Sequence, residues 1–150
     1  MAYANALSAY KQTKVKTAGQ GQLIIMLYDE AVKQLDRGLD LLKSYAKGKK
    51  DPGKIEDIAK ALLKAQEIIT ELQASLDFEH GGDIAKHLFA LYSWFNQEIV
   101  ASNVKKDIQR VANVRAMLAD LRSAWSEAIL KAGVSNETAG TAVRGVNIAG

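Results

Sequence analysis

The chain contains no cysteine, which excludes a disulfide framework, a thiolate zinc site and a cysteine nucleophile. One proline and 11 glycines in 150 residues exclude collagen, low-complexity sequence and long linkers. Neither sign of charge prevails. The 20 Lys and Arg stand against 17 Asp and Glu, and a net charge of +3 does not demand nucleic acid or a membrane as partner. No apolar run approaches the roughly 18–20 residues of a transmembrane helix. The N-terminus lacks the basic start and apolar stretch of a secretory signal. The expectation is a soluble, cytoplasmic protein with no membrane insertion and no nucleic-acid partner. The balance that is present, 48% hydrophobic and 25% charged, is that of one globular domain. A chain of this length buries roughly 70% of its unfolded surface, enough for a core without staples.

Strand-type alternation is also missing, and helical spacing replaces it almost throughout. Ile24, Tyr28, Ala31, Leu35, Gly38, Leu42 and Tyr45 follow one another in steps of three and four. So do Ile55, Ile58, Leu62, Ala65, Ile69, Leu72 and Leu76, then Ala85, Leu88, Tyr92, Phe95 and Ile99. Val111, Val114, Leu118, Leu121, Trp125, Ala128 and Ala132 complete the set. Such steps place side chains on one stripe of a helix. They predict helices near 22–46, 54–78, 83–103 and 106–132. The breaks agree: Asp51-Pro52-Gly53, then Gly81-Gly82 with Asp83 able to cap the next helix, then Ser102-Asn103 with Asp107 near a helix start. Gly133 reads as a C-cap. Short connections make neighbours antiparallel, so the fold class is all-α, an antiparallel four-helix bundle.

The domain spans 1–133, and 134–150 reads as a flexible tail. Residues 1–21 form an N-terminal segment in which Tyr3, Leu7 and Tyr10 share a spacing of four and three. A short helical segment there needs a surface to lie on, since short helices are marginal alone. Residues 1–21 also hold Lys11, Lys14 and Lys16 and no acid, and 43–54 holds Lys43, Lys47, Lys49, Lys50 and Lys54 against Asp51 alone. The bland reading of the second cluster is a solvated loop, because nucleic-acid binding wants a broader basic face with aromatics interleaved.

Leu23-Ile24-Ile25-Met26-Leu27-Tyr28 is an unbroken apolar run longer than one helical turn. A bundle helix needs only a stripe, so Ile25 and Met26 are expected away from the bundle centre. Ile68, Phe89 and Met117 are further flanking apolars. Either the N-terminal segment covers this surface through Leu7 and Tyr10, or a partner helix docks there. For each of these residues the alternative is core or flank packing, and Tyr92 and Trp125 lie on their stripes.

Catalytic chemistry is thin, and no catalytic, cofactor or metal residues are assigned. His80 and His87, with Asp77, Glu79 and Asp83 nearby, suggest a metal, but the Glu-x-x-His pairs of di-iron bundles are missing. Solvated charges at a helix junction account for them. Gly19-Gln20-Gly21 lacks the lysine and length of a phosphate loop.

One resemblance narrows the choice. Tyr10, Val15, Thr17 and Ala18, followed by Leu23-Ile24-Ile25-Met26-Leu27-Tyr28-Asp29, resemble the opening of the flagellar secretion chaperone FliS family. The likeness continues in Ala65-Gln66-Glu67-Ile68-Ile69-Thr70-Glu71-Leu72, Ser75-Leu76-Asp77, Gly82-Asp83-Ile84-Ala85, Leu88, Leu91-Tyr92, Ala101-Ser102-Asn103, Leu121 and Trp125. The chain departs from the family's common Asn-Pro-Tyr start at Asn5-Ala6-Leu7, and from Pro-Glu before the first helix at Gly21-Gln22. The resemblance implies a non-enzymatic chaperone without cofactors. It implies one-to-one binding of the disordered C-terminal segment of flagellin, with the flagellar export gate as a further partner. Leu7, Tyr10, Ile25, Met26, Ile68, Phe89 and Tyr92 are the expected partner-binding residues, on a monomer or weak homo-oligomer. The alternatives are an adaptor or self-associating bundle using the same apolar patch, and a metal-dependent bundle enzyme.

Overall fold

The computed structural model describes residues 19–48 and 51–139. They form four helices: α1 (Gln20–Lys47), α2 (Pro52–Ala74), α3 (Phe78–Lys105) and α4 (Ile108–Ala139). α1 packs against α2 and α4, and α3 closes the square against the same two helices. The expected all-α bundle is the architecture observed. The N-terminal segment, with Tyr3, Leu7 and Tyr10, lies outside the described residues.

The stripes read from the spacing are the core. Tyr28, Ala31, Leu35, Ile58, Leu62, Ala65, Ile69, Ala85, Phe95, Ile99, Val111, Val114 and Leu118 are fully buried or nearly so. Gly38 is on its stripe because α1 and α2 approach closely there: a Cβ at that position would lie 2.8 Å from Leu62 Cδ2. Ile55, at the end of the α2 stripe, is 39% exposed, since the bundle runs out beside it.

Helix ends follow local chemistry, with some departures from expectation. Asp51 caps α2, its Oδ1 accepting the Gly53 N–H at 2.9 Å, with Pro52 opening the helix. α3 starts at Phe78 rather than after the Gly81-Gly82 pair, because Asp77 supplies the cap: its Oδ1 accepts the His80 N–H at 3.1 Å. The expected break survives as a kink at Gly82, whose φ of 50° suits glycine. The Ser102-Asn103 pair does not end α3. Ser102 is buried and its Oγ donates back to the Glu98 carbonyl at 2.8 Å. The helix stops at Lys106, in the left-handed region at φ 56°, and Asp107 Oδ1 accepts the N–H groups of Gln109 and Arg110. Gly133 does not cap α4, which runs on to Ala139. Glycine inside a helix costs about 1 kcal/mol against alanine and does not by itself end it. α1 opens at Gly19 with no side-chain cap and no acid in its first turn, in keeping with the missing Pro-Glu.

The α1–α4 seam is edged by two ion pairs. Asp29 accepts from Arg122 at 2.9 Å, and Asp36 from Arg115 at 2.8 Å. The partners are one heptad apart on both helices, which fixes an antiparallel register. Hydrogen bonding to its aspartate raises the pKa of each guanidinium further. Such solvent-facing pairs contribute about 0–1 kcal/mol each, so they set alignment more than stability.

Candidate partner-binding site

The apolar run of α1 is absorbed by the fold. Leu23, Ile25, Leu27 and Tyr28 are buried, while Ile24 and Met26 are half-buried. Two neighbouring helices flank α1, so its apolar arc is wide rather than a single stripe. Three of the expected partner-facing residues are therefore core residues. Ile25 is 5% exposed, and Ile68 and Tyr92 are essentially sealed. Phe89, by contrast, is 45% exposed.

Among the described residues most of the exposed large apolar side chains lie on α3, the others being Ile55 and Leu63 on α2 and Met117 and Leu130 on α4. Phe78, Ile84, Phe89, Trp94, Val100 and Val104 are all exposed along α3. On the flank toward α2, Phe78 and Phe89 touch with ring centroids 5.8 Å apart. Gln73 holds that flank to α2, its Nε2 donating to the Phe89 carbonyl at 3.0 Å and to Ser93 Oγ at 2.6 Å.

On the opposite flank α3 and α4 leave an open apolar groove of about 210 Å³. Ile84 and Leu88 line it from α3, and Leu121, Ala124, Trp125 and Ala128 from α4. Its origin is steric: Ala124 and Ala128 are one turn apart, and their short side chains leave the seam unfilled. Ile84 stands at the rim, while Leu88 and Trp125 are buried and form the floor.

Beneath the floor a polar trio ties three helices together. Trp125 Nε1–H donates to Tyr28 Oη at 3.0 Å, and the Tyr28 and Tyr92 hydroxyls are hydrogen-bonded to each other. These contacts join α4, α1 and α3 across the core. Burial pushes the Tyr28 phenol well above its ordinary range, reinforced by Tyr92, and burial likewise raises Tyr92. The trio has more donor hydrogens than bonds, so one phenolic hydrogen finds no acceptor within it.

That imbalance makes the two tyrosines unequal. Tyr28→Phe removes the acceptor shared by the other two and leaves the indole N–H only the Tyr92 hydroxyl, so a loss of about 1–2 kcal/mol is expected. Tyr92→Phe removes a donor already in excess, so its cost is expected at or below about 1 kcal/mol. Urea melts of the two single variants read the difference directly.

The raised phenols also set an alkaline limit. The unfolded tyrosines ionise near pH 10, whereas burial shifts the ionisation of the folded pair to higher pH. The unfolded state therefore binds fewer protons above that pH, and stability falls as pH rises. Each group contributes at most about 1.4 kcal/mol per pH unit, over the range where it is ionised only in the unfolded state. Stability measured against pH for wild type and Tyr28→Phe/Tyr92→Phe checks this, since the slope flattens in the double variant.

Metal chemistry gains no geometric support. Among the described residues no three His, Asp or Glu side chains are placed to hold an ion. His80 Nδ1 sits 2.6 Å from Asp77 Oδ2, and hydrogen bonds from the His80 backbone and ring hold that carboxyl below its usual range. Among the same residues no helix is long and apolar enough to cross a membrane.

The described residues thus form a helical bundle with an open apolar groove and exposed apolar side chains along α3. The sequence profile described as "Flagellar protein FliS" matches residues 3–132. The flagellar secretion chaperone FliS of Salmonella typhimurium is 33% identical over 134 residues, covering 86% of this chain and 93% of its own. That of Bacillus subtilis is 30% identical over 129 residues, with 86% and 90% covered. That of Vibrio cholerae is 32% identical over 126 residues, with 81% and 87% covered. The chain belongs to the FliS family of flagellar proteins. These relatives are named as chaperones, and no catalytic activity is indicated.

Proposed function

We propose that the chain is a cytoplasmic export chaperone. It binds the disordered C-terminal segment of flagellin one-to-one, prevents its premature polymerisation and delivers it to the flagellar type III export apparatus. The observation that carries this reading is the apolar groove between α3 and α4, open beside exposed Ile84, in a member of a family of secretion chaperones. A disordered amphipathic segment folds against such a groove by seating apolar anchors at helical spacing. Burial of apolar area supplies about 25 cal/mol per Å². Ordering the client takes back about 2–5 kcal/mol, which suits a partner that must later let go. Phe89, on the other flank of α3, and Met26, on α1, would be client contacts separate from the groove, whereas Ile25, Ile68 and Tyr92 act from the core. Leu7 and Tyr10 keep their role as cover or clamp within this proposal.

The test is titration of the full chain with a flagellin C-terminal peptide, followed by calorimetry and circular dichroism. One-to-one binding with a gain in helix content is expected. Absence of binding, with self-association that grows with concentration, would instead favour an adaptor or self-associating bundle using the same apolar patch.

A further inference from the structure

The α3–α4 seam repeats by heptads, and one of its levels is unfilled. The Glu98–Arg110 ion pair, 2.9 Å between Oε2 and Nη1, fixes which residues stand opposite each other. One heptad along, Leu91 lies level with Met117, and one heptad further, Ile84 lies level with Ala124. On α4 the equivalent positions are Arg110, Met117, Ala124 and Lys131, three long side chains and one methyl group. Leu91 and Met117 do not line the groove, which ends before their level. It opens at Ile84 and Ala124 and continues to Ala128, one turn on. Ala124 is exposed and Ala128 half-buried, so the space above both methyl groups is open. The groove is the volume of side chains that α4 does not carry. A closed cavity of about 150 Å³ holds a benzene ring, and the groove, at about 210 Å³, has room for more than one short hydrocarbon chain. Its lining has no charged residue. The Trp125 N–H, the one polar side-chain group among the lining residues, is already given to Tyr28.

We propose that Ala124 and Ala128 are the specificity-determining residues of the client site. They leave a notch for two uncharged aliphatic side chains that stand one helical turn apart on the client. This assignment rests on the client reading above and adds to it the chemistry of the anchors. Side chains three or four residues apart on a helix share one face at about 5–6 Å, which matches the separation of the two alanines. Each anchor puts across the seam the hydrocarbon that Met117 supplies one heptad earlier. A carboxylate, ammonium or amide anchor is rejected, because the lining has no free group to pair with it. A client whose aliphatic residues stand seven apart fills only half of the notch.

The experiment is calorimetric titration of the full chain with the flagellin C-terminal peptide, and with the same peptide carrying alanine in place of each aliphatic residue in turn. Wild type, Ala124→Leu and Ala116→Leu are compared, Ala116 being exposed on α4 beyond the closed end of the groove. Ala124→Leu is expected to bind the unaltered peptide about tenfold or more weakly, the factor that one excluded aliphatic anchor is worth. Its melting temperature should be no lower than that of wild type, since leucine is nearly as good a helix former as alanine. Ala116→Leu should bind as wild type does. In wild type, two aliphatic positions of the peptide, three or four residues apart, should each cost about tenfold or more on replacement. In Ala124→Leu one of these replacements should cost nothing, because the shortened anchor makes room for the new side chain. Undiminished binding by Ala124→Leu overturns the assignment and leaves the client reading intact. So do an equal loss in Ala116→Leu, a lowered melting temperature of Ala124→Leu, or sensitive positions of any other spacing. Absence of peptide binding by wild type overturns the client reading and the assignment together.

Discussion

Ile84→Asp is expected to bind the flagellin C-terminal peptide at least tenfold more weakly than wild type, with a melting curve almost unmoved. Ile84 is 60% exposed at the rim of the α3–α4 groove, so the fold draws little stability from it. A client seated in the groove covers that exposed area, and full burial of an isoleucine side chain is worth about 1.5–3 kcal/mol. Covering the 60% that is exposed is then worth about 0.9–1.8 kcal/mol, or about four- to twentyfold at about 1.4 kcal/mol per decade. The new carboxylate adds a desolvation penalty, since the groove lining offers it hydrocarbon and no cation. Ile68→Asp gives the opposite signature. It places a charge in the sealed core, so it unfolds the chain before binding is measured. Calorimetric titration of Ile84→Asp, paired with thermal melts of both variants, separates the two kinds of site.

Trp125→Ala is expected to lose about 3–5 kcal/mol of stability, the range for truncating a buried aromatic. The indole is 7% exposed and serves two structures at once. It floors the groove, and its N–H is the donor that Tyr28 accepts beneath the floor. Removal opens a cavity joined to the groove and leaves the tyrosine pair without that donor. Trp125→Phe keeps most of the volume and loses the hydrogen bond with a small part of the ring, so its cost is expected at about 1–2 kcal/mol. Denaturant melts of the two variants distinguish packing from hydrogen bonding. A cost for Trp125→Ala below that of Trp125→Phe would exclude the floor role.

Much of the fold is legible in the spacing of apolar residues, because a period of three and four constrains the buried stripe strongly. The stripe through Ala85, Leu88, Tyr92, Phe95 and Ile99 is buried at each of these positions. The site was less legible. The contiguous run Leu23 to Tyr28 draws attention to α1, but contiguity measures local density and not exposure. α1 has neighbours on both flanks and hides the run. The exposed apolar side chains of α3 are spread over both flanks and the outer face at Ile84, Phe89, Trp94, Val100 and Val104, with core residues between them in sequence. Marking every apolar residue off the stripe in 83–104 would have found them. The groove itself depends on Ala124 and Ala128 being short where they face α3, and a pattern that scores alanine as apolar conceals that. The register of α1 against α4 was readable in hindsight from Asp29 and Asp36 opposite Arg115 and Arg122, two heptad-spaced pairs of opposite sign. The kink at Gly82 was marked by glycine, but not the helical turn ahead of it, which depends on Asp77 as cap.

Methyl NMR of the isoleucines during titration with the flagellin peptide tests the central claim most directly. Ile84, at the groove rim, is predicted to shift strongly as the peptide is added, while Ile68 and Ile69, sealed between helices, hold their positions. Large shifts at Ile68 and Ile69 with Ile84 unmoved would contradict it, because the client would then enter by opening the core and not by filling the groove.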